Sequence, residues 1–155
     1  MIIPKQAVEF IKKYEGFRAN AYRCPAGIWT IGYGTTFYPD GKKVEEGDVI
    51  NIEDATFCLY DFIKKYCLQQ VEDIEKVIGK LNDNQKTSII SLVYNIGSCA
   101  FEKSKCKKFI LKNDIENACK NWDWIKANGK ILNNLIKRRN EEIKLFYGIR
   151  NYWKK

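Results

Sequence analysis

The sequence predicts an α+β fold, a small N-terminal sheet lobe joined by a helix to a larger, mainly helical lobe. Three observations carry this. Apolar residues recur at helical spacing over residues 7–14, β-branched and aromatic residues broken by turn formers fill 17–51, and helical periodicity returns from 52 onward. A chain of 155 residues with 45% hydrophobic and 30% charged side chains suits one soluble domain spanning 1–155. Its sheet lobe is expected at about 15–51, and its helical lobe at about 52–155 together with an N-terminal helix at 4–14.

Pro4 suits the first turn of a helix whose positions Ala7, Phe10, Ile11 and Tyr14 share one face, and Gly16 ends it just after Glu15. Pro25-Ala26-Gly27, the alternating Trp29-Thr30-Ile31-Gly32-Tyr33, and Pro39-Asp40-Gly41 read as a small, irregular antiparallel sheet. Asn51, followed by Glu53 and Asp54, is an N-cap signal opening a helix with Ala55, Leu59, Phe62, Ile63 and Tyr66 on one face. That stripe weakens near Gln69-Gln70 and resumes at Ile74, Val77 and Ile78, so a long or bent connecting helix is expected, ending at Gly79. Asn82 and Gln85 have capping-box spacing ahead of Ile89, Leu92, Val93 and Ile96, and Gly97 closes that helix. Helical pieces over Phe101 to Leu111 and Ile115 to Trp122 precede a last helix from about Ile131 to Tyr147.

The net charge of +8 implies an anionic partner, without choosing among cell wall, nucleic acid and acidic lipid. The basic residues fall in pairs along helices, as in Lys12-Lys13 and Lys107-Lys108, and solvated helix faces explain many of them. Nucleic acid is not expected, since no helix-turn-helix, zinc or basic-arm signature is present. Six cysteines form no Cys-x-x-Cys pair and there is no His, so no metal and no cofactor are expected. They read as free thiols, with Cys58, Cys67 and Cys119 among apolar helical positions. No apolar run approaches the roughly 20 residues that cross a bilayer. The start Met1-Ile2-Ile3-Pro4-Lys5 lacks the pattern of a signal peptide, so stable membrane insertion is not expected and accumulation in the cytoplasm is.

Glu15, Cys24 and Thr30 lie nine and then six residues apart, placing an acid, a thiol and a hydroxyl around one turn-rich segment. Glycosidic cleavage requires a proton for the leaving oxygen and a nucleophile or activated water for the anomeric carbon. A carboxyl at the end of an apolar helix suits the first task, because partial desolvation favours its protonated form. Taken alone, Glu15 would be read as a surface residue and Thr30 as a good strand former. Gly32 and Gly34 mark bends or a close approach, as beside a saccharide cleft.

The run Tyr14-Glu15-Gly16-Phe17-Arg18, then Tyr22-Arg23-Cys24-Pro25-Ala26-Gly27-Ile28-Trp29-Thr30-Ile31-Gly32-Tyr33-Gly34-Thr35, resembles the active-site signature of phage-type lysozymes, the endolysins of glycoside hydrolase family twenty-four. The resemblance continues through Asn95-Ile96-Gly97 to Arg138-Arg139 and Glu142. It implies a lysozyme-like fold and hydrolysis of the β-1,4 bond between N-acetylmuramic acid and N-acetylglucosamine in peptidoglycan. It also implies Glu15, Cys24 and Thr30 as the catalytic set, and Gly32, Tyr33 and Asn95 against substrate. Capping of its helix explains Asn95 nearly as well.

That family has Asp where this chain has Cys24, and commonly His where it has Thr35. Cys24 is then a base, a nucleophile or a bystander, and Arg23 beside it is a candidate to lower its pKa. In the last helix Arg139 falls within the stripe Leu132, Leu135, Ile136, Ile143 and Phe146 and needs an acid partner, for which Glu15 is the candidate; the family carries such an arginine. Arg138 pairs with Glu142 four residues on in the simpler reading. The resemblance further implies a monomer made in the host cytoplasm that reaches the wall after a separate holin opens the membrane. A lytic transglycosylase using Glu15 alone, or a non-catalytic wall-binding module, are the alternatives.

Overall fold

In the computed structural model, which describes residues 2–153, helix α1 (Lys5–Glu15) starts immediately after Pro4 and buries Ala7, Val8 and Ile11. The chain then enters the antiparallel pair β1 (Arg18–Arg23) and β2 (Trp29–Gly32), in which Tyr22 faces Thr30 and Arg23 faces Trp29. The bridges Asn20 with Val49 and Phe37 with Lys43 extend this lobe. Asn51 caps helix α2 (Ile52–Phe62), its side chain accepting from the Asp54 N–H at 2.7 Å.

Of the two expected forms of the connecting helix, the long one is present, ending before Gly79, and it carries a π-helical segment, Ile63–Cys67, between α2 and α3 (Leu68–Ile78) instead of a bend at Gln69-Gln70. Gln70 does not interrupt the packing, because its buried amide donates to Ser98 Oγ and accepts from Lys107 Nζ. The wider turn of the π segment instead rotates the apolar stripe before it resumes. Lys65, within that segment, reaches the Pro39 carbonyl of the sheet lobe at 3.0 Å.

Helix α4 (Asp83–Ile96) opens with the expected capping box of Asn82 and Gln85 and is the centre of the helical lobe. Every residue from Lys86 to Val93 is buried, and α4 packs against α1, α3 and the last helix. The expected helix over 101–111 is two, α5 (Ser98–Glu102) and α6 (Lys105–Leu111), because Ser104 starts a new cap on the Lys107 N–H. Helix α7 (Ile115–Lys120) stops before Trp122, whose ring is fully buried. A short hairpin unforeseen in the sequence, β3 (Lys126–Ala127) with β4 (Lys130–Ile131), turns at Asn128-Gly129, both with positive φ. Helix α8 (Asn133–Tyr147) closes the lobe against α4.

Candidate active site

Glu15 is the last residue of α1, so its side chain leaves the helix where the backbone turns into the sheet lobe. A quarter of the side chain, 25%, remains exposed. Its Oε1 accepts from Arg138 Nη1 at 2.7 Å. The rest of that guanidinium is held from α4: Nε donates to Ser91 Oγ and Nη2 to the Ser91 carbonyl, each at 3.2 Å. Its Cζ lies 5.3 Å from the centre of the Tyr14 ring.

Arg138, therefore, and not Arg139, is the arginine on Glu15. Both are buried, but successive helical residues point about 100° apart. Arg138 faces Ser91 and the end of α1, whereas Arg139, fully buried, turns to Glu142 and donates from Nη2 to its Oε1 at 2.8 Å. The i, i+4 contact of Arg138 with Glu142 is present as well, at 3.4 Å from Nε, so Arg138 bridges two carboxylates.

The β1–β2 hairpin brings Cys24 and Thr30 together. Cys24 sits opposite Ile28, its N–H donating to the Ile28 carbonyl at 3.0 Å, and Thr30 lies two pairs further along, facing Tyr22. Alternation therefore puts both side chains on one face of the ribbon. The Cys24 thiol is pulled below its ordinary pKa by hydrogen bonds with the Ile28 and Ala26 backbone. Arg23 is not the cause. Its neighbouring position sends it to the other face, where it stacks 4.7 Å over Trp29 and donates to the Gly27 carbonyl. Thr30 Oγ1 donates to the Ile28 carbonyl at 3.0 Å, so what it offers to a third group is its lone pairs.

Two of the residues assigned to substrate have packing roles. Gly32 is buried with φ of 62°, and a Cβ there would lie 2.9 Å from the Ala55 Cβ on α2. Tyr33 is buried too, its ring 5.5 Å from that of Phe17 with Lys12 Nζ over it. Asn95 is exposed near the end of α4, and that end is closed by the Gly97 N–H on the Val93 carbonyl.

Gly34, read from sequence as a close approach beside the cleft, and Tyr94, not singled out there, stand at the carboxylate. A Cβ on Gly34, where φ is 98°, would lie 3.3 Å from Tyr94 Oη and 3.9 Å from Glu15 Oε2. Tyr94 donates to the Tyr33 carbonyl at 2.6 Å, and burial, reinforced by the Glu15 charge, raises its pKa and keeps it a neutral donor. It falls outside the Ile89, Leu92, Val93 and Ile96 stripe and belongs to no motif, so nothing in the sequence marked it. Gly34→Ala is expected to cost about 1–3 kcal/mol of stability through backbone strain. It should also lower turnover per folded molecule roughly tenfold by displacing Tyr94 and the Gly34 backbone beside Glu15, as melting curves and initial rates on the same preparation would show.

From Tyr94 a groove of about 390 Å³ runs between the 35–41 segment and the connecting helix, with Phe37, Phe62, Lys65 and Tyr66 in its walls. Among the described residues no group of three or more Cys, Asp or Glu side chains is placed to hold a metal ion. The arrangement combines a protonatable carboxyl fixed by a cation with an activated thiol and a hydroxyl on an adjacent ribbon. These are components for acid-assisted cleavage with a second group handling water.

Comparison with known proteins agrees in kind. Residues 12–142 match the family described as phage lysozyme. An endolysin of Acyrthosiphon pisum secondary endosymbiont phage 1 is 38% identical, over 94% of this chain and 98% of its own length. The endolysin of Salmonella phage P22 is 37% identical with the same two coverages. Among solved structures, the muramidase domain of SpmX from Asticaccaulis excentricus superposes with a TM-score of 0.79 at 32% identity, over 94% of this chain and 97% of that one.

Proposed function

The chain belongs to the phage lysozyme family, glycoside hydrolases that open bacterial cell walls, and from that membership we propose an endolysin that cuts the β-1,4 bond between N-acetylmuramic acid and N-acetylglucosamine of peptidoglycan. The observation that carries the reading is the Glu15 carboxyl, fixed by Arg138 at 2.7 Å beside Gly34 and left partly open to solvent.

Glu15 gives its proton to the glycosidic oxygen as the bond to the anomeric carbon breaks. A water on the opposite face of the sugar donates a hydrogen bond to Thr30 Oγ1 and loses a proton to the Cys24 thiolate as it attacks. The products are a reducing muramic end and a free 4-hydroxyl. Glu15 is left ionised and Cys24 protonated, and exchange with solvent resets both. Cys24 is well suited to this, since its thiol is pulled down from its ordinary value.

A lowered thiol pKa means that thiolate accumulates at a lower pH than for an ordinary cysteine near ~8.5. Burial pushes Cys67 up to about 12, Cys119 up to about 11 and Cys106 well above its usual range. Mild alkylation at neutral pH is therefore expected to modify Cys24 ahead of these three, and peptide mapping against time would show it. Loss of activity should keep pace with Cys24 labelling, and full activity after complete labelling would make Cys24 a bystander.

We further propose a monomer made in the host cytoplasm, reaching the wall after a separate holin opens the membrane, without nucleic-acid binding. Among the described residues no helix is long and apolar enough to cross a membrane. The +8 charge favours contact with an anionic wall, so sedimentation with wall sacs should weaken between 0.05 and 0.5 M salt, a range of roughly threefold in screening length. The bond itself is tested by digesting purified peptidoglycan, reducing the new ends with borohydride and hydrolysing to sugars. Muramicitol supports the reading; glucosaminitol, or anhydro ends that resist reduction, would overturn it.

A further inference from the structure

Glu142 is fully buried on α8, and donors converge on its carboxylate. Oε1 accepts from Ser91 Oγ at 2.6 Å and from Arg139 Nη2 at 2.8 Å, and Oε2 accepts from the Trp122 indole N–H at 3.0 Å. Arg139 Nε is also 2.8 Å from Oε2, and Arg138 Nε is 3.4 Å from Oε1. Burying such a group is costly, and removing one member of a buried ion pair strands the other. Stability alone is a weak reason for two buried arginines and a buried carboxylate behind one catalytic carboxyl.

We infer that Glu142 is a positioning residue for the cleavage reaction, orienting Arg138 through Ser91 and, set against Arg139, cancelling the surplus positive charge behind Glu15. Ser91 spends its hydroxyl proton on Glu142, so only lone pairs face Arg138 Nε, while the Ser91 carbonyl takes Nη2. Nη1 is thereby aimed at Glu15. The four charges Glu15, Arg138, Glu142 and Arg139 sum to zero. Without Glu142, two buried guanidinium charges would be balanced by one carboxylate and favour its ionised form, whereas an acid must carry its proton to the leaving oxygen.

The groups around the Glu142 carboxylate are Arg138 and Arg139 on α8, Ser91 on α4, Tyr14 on α1, Cys106 on α6, and Trp122, while Ser88 on α4 donates to the Glu142 backbone carbonyl. Burial raises both Tyr14 and Cys106, with Glu142 adding to each, so neither contributes charge at working pH.

The inference rests on Glu15 being the acid, and Glu15→Gln is the control in the same assay. Glu142→Gln is expected to lower kcat roughly tenfold with KM little changed. It should also move the limb of the kcat profile that Glu15 sets down by about one pH unit. Arg139→Met leaves the opposite imbalance and should move the limb upward; the double variant Arg139→Met with Glu142→Gln should return it to the wild-type position. A purely structural Glu142 would lower the melting temperature and leave the limb where it is in all three, and that result overturns the inference. If Glu142→Gln does not fold, Arg139→Met and Ser91→Ala decide. Ser91→Ala keeps all four charges, so kcat should fall several-fold with the limb unmoved, and wild-type kcat there would also overturn it. An active Glu15→Gln would instead remove the functional reading itself.

Discussion

Glu15→Gln is expected to reduce bond cleavage by about two to four orders of magnitude, the usual contribution of a positioned general acid, while leaving the protein folded. The substitution keeps the shape of the side chain and removes the proton it would deliver. The amide oxygen can still accept from Arg138 Nη1, so no buried cation is stranded. A melting temperature near that of the wild type, measured beside the release of soluble muropeptides, separates loss of chemistry from loss of fold. Retention of more than a tenth of the activity would remove Glu15 from the reaction.

The two adjacent arginines should separate just as clearly. Arg138→Met removes the group fixed to Glu15, and a catalytic carboxyl displaced by an ångström loses roughly a hundredfold in rate. Arg139→Met removes the main cation on Glu142 but leaves the bond from Arg138 to Glu15 in place. Either substitution breaks a buried ion pair, for which about 3–5 kcal/mol of stability is the usual loss. A chain of this size would then melt roughly 6–20 °C lower. Both variants are thus expected to be destabilised, with cleavage per folded molecule collapsing in Arg138→Met and persisting in Arg139→Met. Rates normalised to the folded fraction, measured below both melting points, make the comparison.

The arginine pair also marks where sequence reasoning ran out. Helical spacing located a buried cation on α8 correctly, but it assigns faces by Cα position. With two long side chains in succession, both can be buried, and what distinguishes them is the partner each meets: Ser91 on α4 for one, Glu142 three residues on for the other. Glu15, Cys24 and Thr30 could be grouped as candidates from sequence because they share one short segment, where a helix end and a hairpin leave little freedom. Tyr94 was not marked in the sequence, since a lone tyrosine outside the stripe of its helix carries no signal until the Tyr33 carbonyl it donates to is placed. Gly32 and Tyr33 look alike as cleft or core residues in sequence, and the contacts with Ala55 and Phe17 come from elements distant or differently oriented in the chain. The capped helices were readable from local chemistry alone, whereas strands of two residues around Asn128-Gly129 are too short for any periodicity to register.

The most direct test of the claim that Arg138 acts by holding the Glu15 carboxyl is a double-mutant cycle on kcat with Glu15→Gln, Arg138→Met and the pair. Groups that work as a unit are strongly non-additive, so the double variant is expected to be no slower than Glu15→Gln alone. Losses that multiply would show the two residues acting independently, and would contradict the account.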